Sequence, residues 1–364
     1  MAKKKADDAG GAHPRAKLGE AAHDGAVAVA EAPAPNAADD AGDAELNRTM
    51  LRSMLLQRRF EERCAEAYAI GKIGGFCHLY IGQEAVSTGT MSLLRPDDYV
   101  ITTYRDHGQA LARGIPARGV MAELFGREGG VSGGKGGSMH IFDAETNFLG
   151  GHGIVGGHVP IGTGVAFAIK YRGGDQVCVC FMGESVVNTG AFHEALNMAG
   201  LWKLPCVYVI ENNRYGMGTA LERASAIHDI YERGAAYNMP RGQCDGQDVF
   251  AVRRAMQEAV DRARREQCPT LLEVRTYRFM GHSMSDAVSG TYRSKDELDE
   301  YLKRDPITLL RTRMQELGQT DDAAVQALDD EVKAEVQDAW DFADASPEPS
   351  PEALHRDVLA DTTS

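Results

Sequence analysis

The sequence predicts an α/β fold, a mostly parallel sheet flanked by helices. Two short apolar runs, Val177 to Met182 and Cys206 to Ile210, are rich in β-branched residues and bounded by Gly and Pro, as strands buried on both faces are. Between them Asn188 to Leu201 reads as a helix, and strand, helix, strand in that order is the unit from which parallel sheets are built. The 40 glycines gather in the middle of the chain, in loops that can approach a ligand closely. This unit sets residues 183–187 and 211–218 side by side at the carboxyl edge of the sheet, where open α/β sheets bind ligands.

The other elements follow in order. Residues 1–44 are Ala, Gly, Asp and Pro with too little apolar bulk to offset their ordering entropy, so a disordered tail is expected there. The basic start, Met1 to Lys5, has no apolar stretch after it and runs into Asp7 and Asp8, which speaks against a secretory signal or a transit peptide. From Glu45 to Ile70, Leu46, Met50, Met54 and the Leu55-Leu56 pair recur near helical period, and Gly71 and Gly74 stop the helix. A second helix runs to Leu94, and Asp97 to Thr103 is a short strand. Gly126 to Ser138 is a glycine-rich loop, Pro160 to Tyr171 a helix, Val249 to Glu266 an amphipathic helix and Thr270 to Phe279 a strand. Gly281 to Tyr292 is irregular and Asp296 to Asp344 mostly charged helix. The expected organisation is one domain over residues 45–345 with a C-terminal tail over 346–364.

Composition excludes several functions. A formal charge of -14 disfavours nucleic acid, which needs a basic surface to displace counterions. No run of about 18 apolar residues is present to span a membrane. Seven Cys without a CxxC pair point to a reducing, cytoplasmic setting and no structural zinc, and Cys178 and Cys180 share one face of a strand as core residues. Gly129 to Gly136 approaches a P-loop, but Gly136 stands where Ser or Thr is needed and the residues before it look helical. Gly151-His152-Gly153-Ile154-Val155-Gly156 fits GxGxxG, yet no strand is evident before it. Both segments offer backbone N–H groups suited to a phosphate or a tight helix contact. His193-Glu194 begins HExxH, but Asn197 ends it.

The paired loops carry the chemistry. Magnesium takes oxygen ligands in near-octahedral geometry, commonly one or two carboxylates with phosphate oxygens. Glu184 from one loop, the Asn213 amide oxygen from the other, and a main-chain carbonyl near Tyr215 form such a set. The arrangement resembles the thiamine diphosphate signature, Gly-Asp-Gly followed one βαβ step later by Asn-Asn. Here Glu184 stands for the Asp and Ser185 for the second Gly. Glu is one methylene longer, which matters at a bond length of about 2.0–2.1 Å, and a Gly in a tight turn can require positive φ.

Gly75-Phe76-Cys77-His78-Leu79, Tyr104-Arg105-Asp106-His107-Gly108, Lys135 to His140, Gly153 to Gly156, Leu201 to Pro205, Glu211 to Thr219 and Gly281-His282-Ser283-Met284-Ser285-Asp286 occur in one order across roughly residues 45–355. Together they resemble the α subunits of the thiamine diphosphate-dependent 2-oxo acid dehydrogenases, and the pyruvate type more than the acetoin or branched-chain types. The resemblance implies a thiamine diphosphate-binding fold and oxidative decarboxylation of pyruvate, with thiamine diphosphate and Mg2+ as cofactors. It implies that Tyr104 and Arg105 hold the diphosphate and that Gly153 and Val155 contribute backbone around the cofactor. Glu184, Ser185 and Val186 form the metal loop, which Asn213 and Tyr215 complete. His282 reaches the diphosphate, while His78 and Arg278 lie toward the substrate; His107 and His140 are expected to be ordinary loop histidines. The partners implied are a pyruvate dehydrogenase β subunit in an α2β2 heterotetramer, which supplies the proton-handling Glu, and a lipoyl-bearing dihydrolipoamide acetyltransferase. Ser283 falls at a regulatory phosphorylation position of mitochondrial relatives, though its plain reading is a loop Ser whose hydroxyl bonds locally. The Glu184-Ser185 departure leaves open a structural subunit that keeps the fold and binds cofactor poorly.

Overall fold

In the computed structural model, which describes residues 30–31, 42–356 and 358, strands and helices alternate along most of the chain. They are β1 (Ala30–Glu31), α1 (Ala44–Ala69), α2 (Glu84–Met91), β2 (Tyr99–Thr103), α3 (His107–Arg113), α4 (Ala117–Leu124), β3 (Phe148–His152), α5 (His158–Tyr171), β4 (Cys178–Gly183), α6 (Gly190–Trp202) and β5 (Cys206–Asn212). There follow the hairpin β6 (Tyr215–Gly216) and β7 (Thr219–Ala220), then α7 (Leu221–Ala224), β8 (Arg241–Asp245), α8 (Val249–Glu266), β9 (Thr270–Arg275), α9 (Lys295–Leu302), α10 (Pro306–Glu316) and α11 (Asp322–Ala345). Seven strands form one sheet in the order β1-β8-β9-β5-β4-β2-β3, and every pairing in it is parallel.

The strand alternation divides the core. Val179, Phe181, Val207 and Val209 face one side, packed with residues of α1 and α8, whereas Cys178, Cys180, Met182, Cys206, Tyr208 and Ile210 face the other with residues of α5 and α6. All of these strand residues are buried, which is why both strands read as unbroken apolar runs and why Cys178 and Cys180 are core residues. Register pairs Gly183 with Glu211 at the carboxyl ends of β4 and β5, so the loops bearing Glu184 and Asn213 leave the sheet together.

Several expectations shift. β3 exists although Phe-Leu-Gly-Gly-His lacks the β-branched signal, so a strand does run into the Gly151–Gly156 segment. β8, Arg-Gly-Gln-Cys-Asp, and the short helices α3 and α4 are also silent in the sequence pattern. The helix expected to reach Leu94 stops at Met91, and the strand expected to reach Phe279 stops at Arg275. The charged stretch is three helices capped by Ser294, Asp305 and Asp321, with Pro306 opening the second and Gly318 at φ +67 following it. Of the tail expected to be disordered, residues 30–31 form the sheet's edge strand and residue 44 begins α1, while 1–29 and 32–41 lie outside the described residues. In the C-terminal stretch the Pro347 carbonyl accepts from the Glu128 N–H at 2.9 Å and Ala353 is buried; 357 and 359–364 lie outside the description. No helix among the described residues is long and apolar enough to cross a membrane.

The glycine-rich loop has an occupant of its own. Glu123, fully buried at the end of α4, accepts the N–H groups of Ser132 and Gly134 on one oxygen, at 2.8 and 2.9 Å, and those of Gly136 and Gly137 on the other, at 2.6 and 3.2 Å. The nest that resembles a phosphate cradle is therefore filled by a carboxylate of the chain itself. A Cβ on Gly130 would lie 2.3 Å from Glu123 Oε2, and one on Gly136 would lie 2.0 Å from the His140 carbonyl, so the wrap admits no side chain at either position. The loop ends at Ser138, which meets His107 Nε2 at 2.9 Å, and His107 Nδ1 meets Glu61 at 2.9 Å. His107 is thus a fully buried latch and not a solvated loop histidine. Glu61, Cys64 and His107 have metal-ligand chemistry, but Glu61 also accepts the Tyr80 N–H at 2.7 Å, so both carboxylate oxygens and both ring nitrogens are engaged.

Candidate active site

At the carboxyl ends of β2, β4, β5 and β9 lies a cavity of about 270 Å³. It is lined by Tyr104 and Arg105 after β2, Glu184, Ser185 and Val186 after β4, Asn213 and Tyr215 after β5, and Arg278 and His282 after β9, with Val155 before α5. Ten of the expected site residues thus meet in one place. His78 does not line it but stands behind, its ring 4.5 Å from Tyr104 and 5.1 Å from His282. Gly153 is also outside the lining, beside His140.

The cavity is distinguished by uncompensated charge. Arg105 is 5% exposed and Arg278 2%, yet neither has a carboxylate partner among the described residues. Arg105 donates to the carbonyls of Leu79 at 2.6 Å and His282 at 2.8 Å. Arg278 donates to the Tyr292 hydroxyl at 2.9 Å, the Met280 carbonyl at 3.2 Å and Asn213 Oδ1 at 3.5 Å. Burial, with Arg278 nearby, lowers the Arg105 pKa to about 10. Opposite them Glu184 is 3% exposed, and burial raises its pKa; its one side-chain partner is the Ser185 hydroxyl at 3.3 Å. Buried charges are normally paired or bound to an ion. A larger cavity of about 730 Å³ over β5, β8 and β9 differs here, because its Arg214, Arg275 and Arg304 each pair with a carboxylate, Glu222, Asp229 and Asp245.

The local backbone accounts for the Glu184-Ser185 substitution. Gly183 is extended, Glu184 opens a 3-10 turn to Asn188, and Ser185 is not at positive φ, so the turn needs no glycine there. The Ser185 hydroxyl instead sits against Gly216, where a Cβ would come within 1.9 Å of it. Asn213 donates through Nδ2 to Gln83 Oε1 at 3.0 Å, which fixes the amide and reserves Oδ1 for other partners. Tyr215 lines the cavity while its phenol donates to Glu297 at 2.8 Å. Ser283 Oγ donates to Asp286 at 2.8 Å, the local bond its plain reading expects.

Two groups that carry no sequence-derived role line the site. Gln83 lines the cavity with its Nε2 buried and unpartnered, as are Nδ1 of His78 and of His282. Glu211 lines it too, accepting from the Tyr80 hydroxyl and from Gln109 at 3.0 Å, and burial raises its pKa to about 7. Burial and Arg105 lower His78 to about 2, and burial with Arg105 lowers His282 to about 4, so both imidazoles are neutral at physiological pH. Glu211 opens the Glu211 to Thr219 segment, and that position is the signal that marks it, whereas Gln83 lies just past the Gly75 to Leu79 segment and has no sequence signal of its own.

Asp106, next to Arg105 in the chain, lies outside the cavity lining. It is fully buried, Oδ2 accepts the Ile141 N–H at 3.0 Å, Oδ1 has no partner, and burial raises its pKa from 3.8 to about 7. The folded state therefore holds a proton that the unfolded state releases above 3.8. This contribution is complete below 3.8 and declines as pH rises toward 7, by up to about 1.4 kcal/mol per pH unit. Asp106→Asn keeps an acceptor for Ile141 and cannot ionise. Melting temperatures at pH 5.5 and 7.5 should fall further in the parent than in Asp106→Asn; parallel shifts would show that Asp106 is ionised throughout.

Residues 52–352 match the family described as dehydrogenase E1 component. The chain is 52% identical over 309 residues to the pyruvate dehydrogenase E1 component subunit alpha of Rhizobium meliloti (strain 1021), covering 85% of this chain and 88% of that one. The proteins of the same name from Zymomonas mobilis subsp. mobilis and Rickettsia bellii are 48% and 46% identical, covering 85% and 84% of this chain and 87% and 94% of theirs. With the matched region spanning β2 to β9, the helices on both faces of the sheet and the charged cavity at its carboxyl edge, this chain belongs to the dehydrogenase E1 component family.

Proposed function

We propose that this chain is the α subunit of a pyruvate dehydrogenase, holding the diphosphate end of thiamine diphosphate together with magnesium. The observation that carries this is the meeting of opposite buried charges in one cavity: among the described residues Arg105 and Arg278 have no ion-paired carboxylate, and Glu184 has no ion-paired Lys or Arg. The guanidinium forks suit phosphate oxygens, and Glu184 with the Asn213 amide and the main chain at Tyr215 suits a divalent cation. Bound there, thiamine diphosphate supplies an electron sink for loss of carbon dioxide from a 2-oxo acid.

The chain's own side chains position and desolvate. Tyr104 and His282 wall the cavity, and His78 supports both from behind. His282 and His78, being neutral, serve as hydrogen-bonding groups toward cofactor and substrate without adding charge beside the two guanidiniums. Val155 brings its segment to the cavity wall, while Gly153 stands back from it beside His140. The proton-handling acid is assigned to a β subunit, in an α2β2 assembly that passes the acyl group to a lipoyl-bearing acetyltransferase. A face for such a partner is at hand. Tyr171 is 83% and Leu201 71% exposed, and Phe167 packs at 5.4 Å on Trp202 across α5 and α6, with Ile154 exposed beside the cavity. Neighbouring exposed apolar side chains of this kind suit a protein interface. All seven cysteines are free and six are buried, which suits a reducing cytoplasm.

Calorimetric titration of the α–β complex with thiamine diphosphate should show magnesium-dependent micromolar binding, and turnover should favour pyruvate over acetoin and 3-methyl-2-oxobutanoate. Absence of binding heat with saturating magnesium would overturn this reading in favour of a structural subunit. Because the Glu184-Ser185 loop packs on Gly216, Glu184→Asp withdraws the carboxylate from a loop fitted to Glu. Its affinity should fall about tenfold, or ~1.4 kcal/mol; a gain would show the extra methylene to be a cost.

A further inference from the structure

We propose that Glu297 on α9 is a positioning residue that holds the Asn213–Gly218 loop in its ligand-binding shape through the phenol of Tyr215, an inference that rests on the function proposed above. The loop needs such support. Arg214 at φ +73 and Met217 at φ +54 both occupy the left-handed region without being glycine, a conformation that is unfavourable for L side chains and persists only where surroundings impose it.

Glu297 imposes it from outside the cavity. Its Oε2 accepts the Tyr215 hydroxyl at 2.8 Å, its Oε1 accepts the Tyr277 hydroxyl at 3.1 Å, and Arg214 Nη1 lies 3.8 Å away. Tyr277 in turn stacks on Tyr301 of α9, centroids 3.8 Å apart and rings 5° from parallel, so the chain leaving β9 and the helix carrying Glu297 are fastened together. Ser294-Lys295-Asp296-Glu297 has the capping-box pattern, in which the Glu normally turns back to the N-cap N–H. Only half of the box forms: Ser294 Oγ accepts the Glu297 N–H at 3.0 Å, while the carboxylate is directed to the two tyrosines. A local helix cap has been exchanged for a long-range contact to the loop. Arg214 keeps Glu222 at 3.0 Å, so removing Glu297 leaves no buried charge unpaired, and the expected effect is on loop order.

The test uses the full chain with its β partner. Magnesium titrations of thiamine diphosphate binding should show Glu297→Ala needing about tenfold more magnesium, the low end for loss of a ligand's outer partner, and Tyr215→Phe should match it. Glu297→Gln retains an acceptor oxygen and should stay within about threefold of the parent. Amide hydrogen exchange over residues 213–218, measured without ligand, should accelerate in the Ala and Phe variants while melting temperature hardly changes. Parental magnesium dependence and parental exchange in Glu297→Ala would overturn the proposal; so would equal losses in Ala and Gln accompanied by a lower melting temperature, which would mean general packing. Should Glu297→Ala fail to fold, Tyr215→Phe removes the same bond without touching α9. A parent complex that binds no thiamine diphosphate would sink the functional reading instead, and the exchange rates alone would then decide the clamp.

Discussion

Arg105→Met should weaken thiamine diphosphate binding by about 3–4 kcal/mol, roughly 10²–10³-fold, while leaving the ligand-free chain close to the parent in stability. The two halves of this expectation share one cause. Arg105 is 5% exposed with only two main-chain carbonyls as acceptors, and burial beside Arg278 depresses its pKa to about 10. In the absence of ligand such a guanidinium is a cost, and replacing an ill-compensated buried charge by an apolar residue of similar volume is often neutral or stabilising by about 1–4 kcal/mol. The carbonyls of Leu79 and His282 lose their donor, and each offsets about 1–3 kcal/mol of that gain. With a diphosphate in the cavity the balance reverses, because a charge desolvated in advance needs no further reorganisation to meet a phosphate oxygen. Arg105→Lys keeps the charge but loses the fork, so it should fall between parent and Met in affinity and gain no stability. Differential scanning calorimetry of the ligand-free chain, beside isothermal titration of the α–β complex, reads both halves. A Met variant with lower melting temperature and parental affinity would make Arg105 a structural residue.

The positions of these charges divide into those the sequence displays and those it conceals. β4, α6 and β5 are legible because their signals are local: short β-branched runs between Gly and Pro, and a helical stretch between them. Since parallel register follows from that unit, the meeting of Glu184 with Asn213 is legible too. β3 and β8 are not, because their glycines and polar residues enter the sheet through pairing with β2 and β9 and carry no propensity of their own. The same holds inside the site. Arg105 and His282 can be placed by the segments that contain them, but the absence of an ion-pair partner for Arg105 and the neutrality of His282 come from burial by residues far away in the chain. Asp106 is the sharpest case: it lies inside the Tyr104–Gly108 segment, and only the closure of residues 141 and 151 over it makes its carboxyl hold a proton toward pH 7. Charge state is a property of the enclosure, and the sequence shows only the group enclosed.

Glu123→Gln should destabilise the chain by about 3–5 kcal/mol, at the upper end of single substitutions, although it changes one atom and leaves the volume unaltered. The carboxylate has two oxygens and the loop presents two N–H groups to each. An amide retains one acceptor and turns an NH2 group toward the other pair, so two charge-assisted bonds vanish and donors oppose donors in a buried site. Rotating the amide only moves the conflict from Ser132 and Gly134 to Gly136 and Gly137. Glycines at 130 and 136 that admit no Cβ leave the loop no tighter path by which to recover the contacts. The damage should then pass to Ser138, the His107 ring and Glu61, which together tie the loop to the first helix and to the Tyr80 N–H. Urea unfolding, read beside hydrogen exchange of residues 129–139, gives the sign and the location: the midpoint should drop and exchange in the loop should rise before the β4 and β5 amides change. Were the loop an external phosphate site, the Gln variant would unfold like the parent and added phosphate would protect the loop. Protection by phosphate in the parent chain is not expected, because the anion that the nest was built around is already covalently part of α4.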